Sequence, residues 1–382
     1  MRDNEETNLV TNFIEWYHQV FTDSELYKSM ATTVESSPYH REKSVAVHTD
    51  MVVMNLLSAL SRDVIAPKAM LCGLFAAAFH DTGKPVVVQV KNNEERGDYK
   101  SFAEHERASA RLWESFYLEN KDYLFSNFGI NSIDSYVIAI MIEWHRPWSL
   151  KDKEKIKNIH RSLLSRDNIS VYHYLLWADN AGRISDDENN LESVKLKISR
   201  YREIANEISN FPIVDTVYDK ISMFPETDVE SALMMPIGVS GAGKSTFYDS
   251  HVASGNAKVH SMDLLRISFY GDDPQVAFKK SMEDSDFSAK VMKDFIQKIK
   301  LDQDLYIDNT NLSMKRRRKY LIEARRRKFV TVAYLFRISL DDVLKRQLKR
   351  GNKKVPSSSV AKQHAALTYP LIGEFDRIQI LS

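Results

Sequence analysis

Apolar positions recur at three-to-four-residue spacing through the first half of the chain, in Met51–Leu60, Ala69–Phe79, Ala108–Phe116, Tyr136–Trp144 and Val171–Trp177. That period puts apolar side chains on one face of a helix. Glycine is scarce in this half and no alternating strand pattern competes, so residues 1–210 are expected to be all-α. The pattern changes after the segment Phe211–Glu230, where Pro212 and Phe224-Pro225-Glu226-Thr227 mark an expected linker over residues 211–230. Ala232–Ile237 is a short apolar run that enters a glycine turn directly, and Thr246 onward reads as helix. Leu305–Ile307 and Phe329–Leu335 are further strand candidates set between helical stretches. Strands alternating with helices predict an α/β domain with a parallel sheet over residues 231–382.

The bulk numbers agree with two domains, since 382 residues exceed one typical core. Met1-Arg2-Asp3-Asn4-Glu5-Glu6 is acidic and lacks the apolar region of a signal peptide, and Ala69–Phe79 is too short to span a bilayer. Cys72 is the single cysteine, which excludes a disulfide framework and a cysteine-based metal site. A cytoplasmic enzyme without a membrane partner is the expectation. Net charge is only +1, yet Lys315–Lys354 holds sixteen Lys/Arg against Glu323, Asp341 and Asp342. Such a block favours phosphate-rich ligands, although a solvated helix face would show the same run. Eight of the eleven histidines lie before residue 174, as expected if that half holds a histidine-liganded metal.

Gly238-Val-Ser-Gly-Ala-Gly-Lys244-Ser245-Thr246 is a complete P-loop standing after a strand and before a helix. Gly238, Gly241 and Gly243 let backbone N–H groups converge on phosphates, Lys244 supplies charge to the β/γ oxygens, and Ser245 offers its hydroxyl to Mg²⁺. ATP or GTP binding follows. Downstream, Asp263 could take the proton of an attacking hydroxyl, with Arg266 on the same helical face holding an anionic group. An N-cap Asp beside a surface Arg reads equally well. The strand Leu305–Ile307 ends in Asp308, where a nucleotide site needs a carboxylate near Mg²⁺. Arg346 and Arg350, four residues apart, are expected on one helix face as a phosphate clamp. In order, the P-loop, Asp263-x2-Arg266, Asp308-Asn309-Thr310-Asn311-Leu312 and Lys349-Arg350-Gly351-x3-Val355-Pro356 resemble the motifs of phage-type 5′-OH polynucleotide kinases. The resemblance implies Asp263 as general base, Arg266 on the acceptor phosphate, Arg350 with Arg346 on the ATP phosphates, and Asp308 in the phosphate and metal site.

The first half offers His48, His80-Asp81, His105, His145 and Asp179 as metal ligands on separate segments. Imidazole plus carboxylate suits divalent transition metals such as Mn²⁺, Co²⁺, Ni²⁺ or Zn²⁺. Each histidine alone is more often a satisfied polar residue, and the joint order carries the weight. That order, His48…His80-Asp81…Asp179, resembles the HD phosphohydrolase superfamily. The resemblance implies a first metal on His48, His80, Asp81 and Asp179, and a second on His105 and His145 with Asp81 bridging. Lys84 could contact the substrate phosphate or be a surface lysine, and His40-Arg41 could face phosphate or only line a loop. His18, His160 and His173 are assigned to structure. In Leu175-Leu176-Trp177-Ala178-Asp179 all but the carboxylate is expected to be buried.

An HD phosphoesterase followed by a polynucleotide kinase resembles the HD-Pnk family of end-healing enzymes. That implies RNA or DNA ends as substrates: 2′,3′-cyclic phosphate or 2′-phosphate for the HD half, and 5′-OH with ATP and Mg²⁺ for the kinase half. A separate ligase would seal the healed ends. Two other readings stay open, a nucleotidase fused to a small-molecule kinase and an HD nucleotidase gated by a non-catalytic ATP-binding module. Leu371–Ser382 shows no interpretable site.

Overall fold

The computed structural model describes residues 2–35, 43–93, 97–147, 150, 152–184, 188–208, 211–212, 216–219, 231–351 and 354–382. His40, Arg41 and Phe224–Thr227 lie outside them. The chain divides into two compact units, residues 1–215 and 216–382.

The first unit is helical, with α1 (Arg2–Trp16), α2 (Glu25–Thr32), α3 (Val45–Leu60), α4 (Pro67–Phe79), α5 (Lys84–Val87), α6 (His105–Phe128), α7 (Ser132–Glu143), α8 (Lys153–Arg161), α9 (Arg166–Ala181) and α10 (Glu188–Ile208). Every residue from Leu71 to Phe79 is buried, so α4 is apolar all round and forms the centre of the unit. Helices α1, α3, α6, α7 and α9 all pack on it. Phe75 meets Phe13 edge-on at 5.1 Å between centroids, and Phe79 meets Trp113 the same way at 5.1 Å. Tyr17 and Tyr27 both donate to Asp50 at 2.7 Å, fixing the start of α3 against the N-terminal helices.

The unit is helical as expected, with one addition: β1 (Gln89–Asn93) and β2 (Gly97–Ser101) pair antiparallel between α5 and α6. Val88, Val90 and their neighbours are exposed, so no core demanded an alternation that the sequence could show. At the end of α9, Leu175, Leu176 and Ala178 are buried as expected, but two residues differ from expectation. Trp177 is 43% exposed while Asp179 is buried.

The second unit is an α/β domain whose six-stranded sheet is parallel throughout. Its strands are β3 (Val217–Tyr218), β4 (Ala232–Ile237), β5 (Lys258–Ser261), β6 (Leu305–Asp308), β7 (Val330–Phe336) and β8 (Arg377–Leu381), in the spatial order β3-β8-β7-β4-β6-β5. The connecting helices are α11 (Lys244–Phe247), α12 (Met262–Tyr270), α13 (Pro274–Glu283), α14 (Phe287–Ile299), α15 (Met314–Arg326), α16 (Leu340–Leu348) and α17 (Ser357–Ala365). All six residues of β4 are buried, as a central strand covered on both faces requires. Chain order reverses about β4, and ligands of open α/β sheets bind at the carboxyl ends of such strands. The P-loop leaves β4 at that point. Within the segment read as linker, Val217–Tyr218 forms the edge strand beside β8.

Part of the basic block is structural. Arg317 is fully buried and grips Glu374 with two bonds, Nε to Oε1 at 2.7 Å and Nη2 to Oε2 at 2.8 Å, while Nη1 reaches Asn311 O, Leu312 O and Thr368 O. Breaking a buried pair of this kind leaves an uncompensated charge and costs about 3–5 kcal/mol. Arg317→Ala is therefore expected to lower the unfolding free energy of this unit by that amount. Denaturant titration checks it, and a change within about 0.5 kcal/mol, typical of surface sites, would refute the structural role.

Candidate functional site

The first site is assembled from five segments. The N-cap Ser44 sets the first turn of α3, which carries His48. His80 caps the C-terminus of α4 and Asp81 follows it. His105 opens α6, His145 lies just past α7, and Asp179 stands in the last turn of α9. All six side chains are buried. They form two triads, His48/His80/Asp179 and Asp81/His105/His145, and in each the ligand atoms lie within 4.8 Å of one another. His48 Nε2 is 3.1 Å from Asp179 Oδ1 and 3.5 Å from Asp81 Oδ2. His80 Nε2 is 3.2 Å from Asp81 Oδ2, and His105 and His145 Nε2 are 3.2 and 3.8 Å from Asp81 Oδ1. Asp81 thus turns one oxygen to each triad.

The orientation of the four rings is more telling than their proximity. Each places Nδ1 on a backbone carbonyl: His48 on Gly182 at 3.1 Å, His80 on Ala77 at 2.7 Å, His105 on Phe102 at 2.8 Å and His145 on Ile142 at 2.8 Å. A carbonyl only accepts, so Nδ1 carries a proton, which leaves Nε2 as the atom that each ring would offer to an ion. Outer partners of this kind are how proteins hold metal-binding imidazoles. His105 Nε2 is buried with no hydrogen bond of its own. Two donors on a tetrahedral ion, each about 2.1 Å away, stand about 3.4 Å apart, which matches the separations seen. The donor set fits a divalent transition metal.

Electrostatics prepare the same chemistry. Burial pushes Asp81 and Asp179 up, but His80 and Lys84 outweigh it at Asp81, and Arg183 and His48 at Asp179, so both stay well below the usual carboxylate range. Burial and the neighbouring His80 and His105 bring His145 down to about 3, which keeps it neutral. Lys84 is not the surface lysine that one reading allowed. It is buried, 2.7 Å from Asp81 Oδ2 and paired with Glu35, and these carboxylates overcome desolvation to raise its pKa. It also lines a cavity of 330 Å³ with Lys100, Arg146 and His105. The backbone turn after Asp81 can lie on α6 only because residue 83 is glycine, where a Cβ would stand 2.4 Å from His105 O and 2.5 Å from Ser109 N. Sequence reasoning missed Glu35 and Arg183. The four-residue spacing from Asp179 pointed to Arg183, whereas nothing local pointed to Glu35.

The buried His160 and the half-buried His173 belong to a separate cluster, with their Nε2 atoms 3.4 Å apart and Tyr201 Oη 3.1 Å from His160. Burial lowers them to about 4 and about 3. Folded values below the unfolded 6.5 mean that the unfolded chain binds protons first as the pH falls. Stability is therefore full above about pH 6.5 and declines through pH 4. Calorimetry at pH 7 and pH 4.5 is expected to show a loss smaller in His173→Gln than in the wild type, by on the order of 2 kcal/mol. Equal losses would contradict this origin.

In the second unit the P-loop curls around the Lys244 ammonium, which donates to Gly238 O at 2.9 Å and Val239 O at 2.7 Å. Gly241 and Gly243 have φ of +97° and +106°, left-handed values that favour glycine. Gln347 of α16 donates to Ser240 O, and Gln363 of α17 accepts from Ser240 N at 2.8 Å, so two helices brace the loop. Burial lowers Lys244 to about 8; the charges of Asp308, Arg350 and Asp263 also act on it. Asp308 accepts from Ser261 Oγ at 3.0 Å, and Asn309 Oδ1 from Met262 N at 3.2 Å, which ties the start of α12 to the end of β6. Asp263 is 85% exposed on the first turn of α12 and bound to Arg266 Nη1 at 2.6 Å. Ser245 and Thr246 are exposed, and a cavity of 430 Å³ beside the loop is lined by Gly243, Thr246, Arg346 and the chain end Ile380–Ser382.

Two details differ from expectation. Helix α16 ends at Leu348, so Arg350 lies beyond it and does not share a helix face with Arg346. The segment Leu371–Ser382 supplies β8 and part of that cavity's lining.

A parallel sheet, a P-loop at its switch point and a carboxylate at the end of the neighbouring strand define a P-loop domain of the kinase-like type. Residues 233–370 match a family model described as an AAA domain. The match supports a kinase that uses ATP and, with it, Mg²⁺. No curated protein matches the chain. Among the described residues no helix is long and apolar enough to cross a membrane.

Proposed function

We propose that the chain heals nucleic-acid ends at two sites. The helical unit, residues 1–215, is an HD-type phosphoesterase for 2′,3′-cyclic phosphate and 2′-phosphate ends. The α/β unit, residues 216–382, is a polynucleotide 5′-hydroxyl kinase. RNA or DNA ends and ATP are the substrates, and a separate ligase acts afterwards. One observation carries the phosphoesterase half: four imidazoles, each anchored through Nδ1 to a backbone carbonyl, converge through Nε2 on one bridging carboxylate.

A bound divalent transition metal supplies a Lewis acid and acidifies water. His48, His80 and Asp179 would hold one ion, His105 and His145 a second, and Asp81 both. Lys84 sets positive charge in the cavity that a phosphate must enter, and its pairing with Asp81 and Glu35 keeps it protonated.

In the kinase, Asp263 accepts the proton of the 5′-OH as that oxygen bonds to the γ-phosphorus. The bond from that phosphorus to the β–γ bridging oxygen breaks, and ADP leaves. Lys244, Arg346 and Arg350 stabilise charge on the phosphates, and Ser245 and Asp308 serve Mg²⁺ and its waters. Arg266 holds the acceptor phosphate. Asp263→Asn keeps the shape of the site while removing the base. It is expected to lower kcat for 5′ phosphorylation by roughly 10²–10⁴-fold and to leave ATP binding, followed by calorimetry, within about twofold. An unchanged kcat would remove Asp263 from the mechanism and favour a module that only senses ATP.

A further inference from the structure

The helical hairpin that carries Asp263 exposes more apolar side chain than a helix pair normally leaves to water. Helix α12 buries none of its residues, and α13 buries only Ala277 and Ser281. Leu264, Phe269, Val276, Phe278 and Met282 are each between 47% and 71% exposed. Such residues scattered singly would mean nothing, but gathered on two packed helices they mark a surface that receives something.

Its two phenylalanines have a common arrangement. The Arg266 guanidinium lies 4.9 Å from the Phe278 ring centroid while the same group binds Asp263 at 2.6 Å. Lys290 Nζ lies 5.4 Å from the Phe269 ring and, like Arg266, is paired with a carboxylate, Asp284 at 2.6 Å. Each ring is about half exposed and has a cation against it. One side chain separates the Phe278 ring from the Asp263 carboxylate.

We propose that the α12–α13 hairpin is a stacking platform for the unpaired bases of a single-stranded 5′-OH end, with Phe278 receiving the base nearest Asp263. The proposal rests on the kinase reading of Asp263 and adds its acceptor surface. A ring flanked by a cation suits a ligand that alternates π-faces with phosphates: the bases stack, and Arg266 and Lys290 meet the backbone. Stacking contributes about 1–3 kcal/mol per base whatever the base, so the platform grips ends without reading sequence. A blunt duplex fits worse, because its base faces are already stacked on one another.

The test uses the full chain with Mg²⁺ and ATP and two single-stranded 5′-OH oligonucleotides, one normal and one abasic at its 5′ nucleotide. Phe278→Ala is expected to raise KM for the normal oligonucleotide by about 5- to 150-fold, with KM for ATP unchanged. The abasic end should raise the wild-type KM by a similar factor and add little in Phe278→Ala, and Phe278→Trp should restore the difference. Phe278→Leu, which keeps apolar packing on Arg266 but has no ring, should behave as the alanine variant and guards against misfolding. An unchanged KM, or equal effects of the variant on normal and abasic ends, overturns the platform. So does sedimentation that shows a wild-type dimer lost in Phe278→Ala. If the wild type phosphorylates neither oligonucleotide, the kinase reading itself fails, a result distinct from the others.

Discussion

Asp81→Asn is expected to abolish phosphoesterase activity, by at least about a hundredfold, while kinase activity persists. The lower bound comes from outer partners of metal ligands, whose loss alone costs roughly 10- to 100-fold. Asp81 stands inside that shell, with one oxygen toward His48 and His80 and the other toward His105 and His145. Asparagine keeps the volume but replaces one acceptor oxygen by a donor NH₂ and removes the charge that offsets a cation. Lys84 retains Glu35 as partner, so the fold should survive. Elemental analysis after dialysis should find less transition metal in the variant than in the wild type. Full activity with full metal content would show that Asp81 is a structural carboxylate and the cluster only a buried polar network.

Lys244→Ala is the second large effect, on the other activity. The ammonium sits inside the P-loop on two backbone carbonyls, and removing one preorganised charge from a phosphate site costs roughly 10²–10³-fold in kcat. Because burial lowers Lys244 to about 8, kcat/KM for ATP in the wild type should fall as the pH rises past that value. The sign follows from charge: above about 8 the free enzyme loses the cation that meets the phosphates. A pH–rate profile flat from 7 to 10 would contradict this. Hydrolysis of cyclic-phosphate ends should be the same in Lys244→Ala as in the wild type.

Both sites were legible in the sequence where chemistry depends on local spacing. The P-loop is a continuous segment whose glycines and lysine act through backbone geometry, so its residues could be assigned before the fold was seen. The six candidate ligands that the fold brings together are scattered along the chain, and it was their order, through its resemblance to the HD phosphohydrolases, that singled them out. What the sequence hid depends on partners distant along the chain. Lys84 reads equally as a phosphate contact or a surface lysine until Glu35 and Asp81 are found beside it. Arg317 reads as one cation of a basic run, but Glu374 lies fifty-seven residues away. Trp177 and Asp179 follow the apolar pattern of α9, yet the inward turn of a carboxylate is a property of the site and not of the helix period. Strand β1 is exposed from Gln89 to Asn92, Tyr99–Ser101 of β2 are half-buried, and three of the four residues of β5 are polar, so none of these showed the runs by which β4 and β7 were found. Arg350 was misplaced because helix ends shift by a residue or two with small changes in capping.

We propose that one chain carries two chemistries for opposite ends of a broken strand. The most direct measurement follows both ends of one RNA bearing a 5′-OH and a 2′,3′-cyclic phosphate, incubated with the wild-type protein, ATP, Mg²⁺ and Mn²⁺. The account predicts a 5′-phosphate and a 3′ end freed of its cyclic phosphate, the first lost in Lys244→Ala alone and the second in Asp81→Asn alone. An RNA recovered with both ends unaltered, while mononucleotides or small alcohols are turned over, would contradict it.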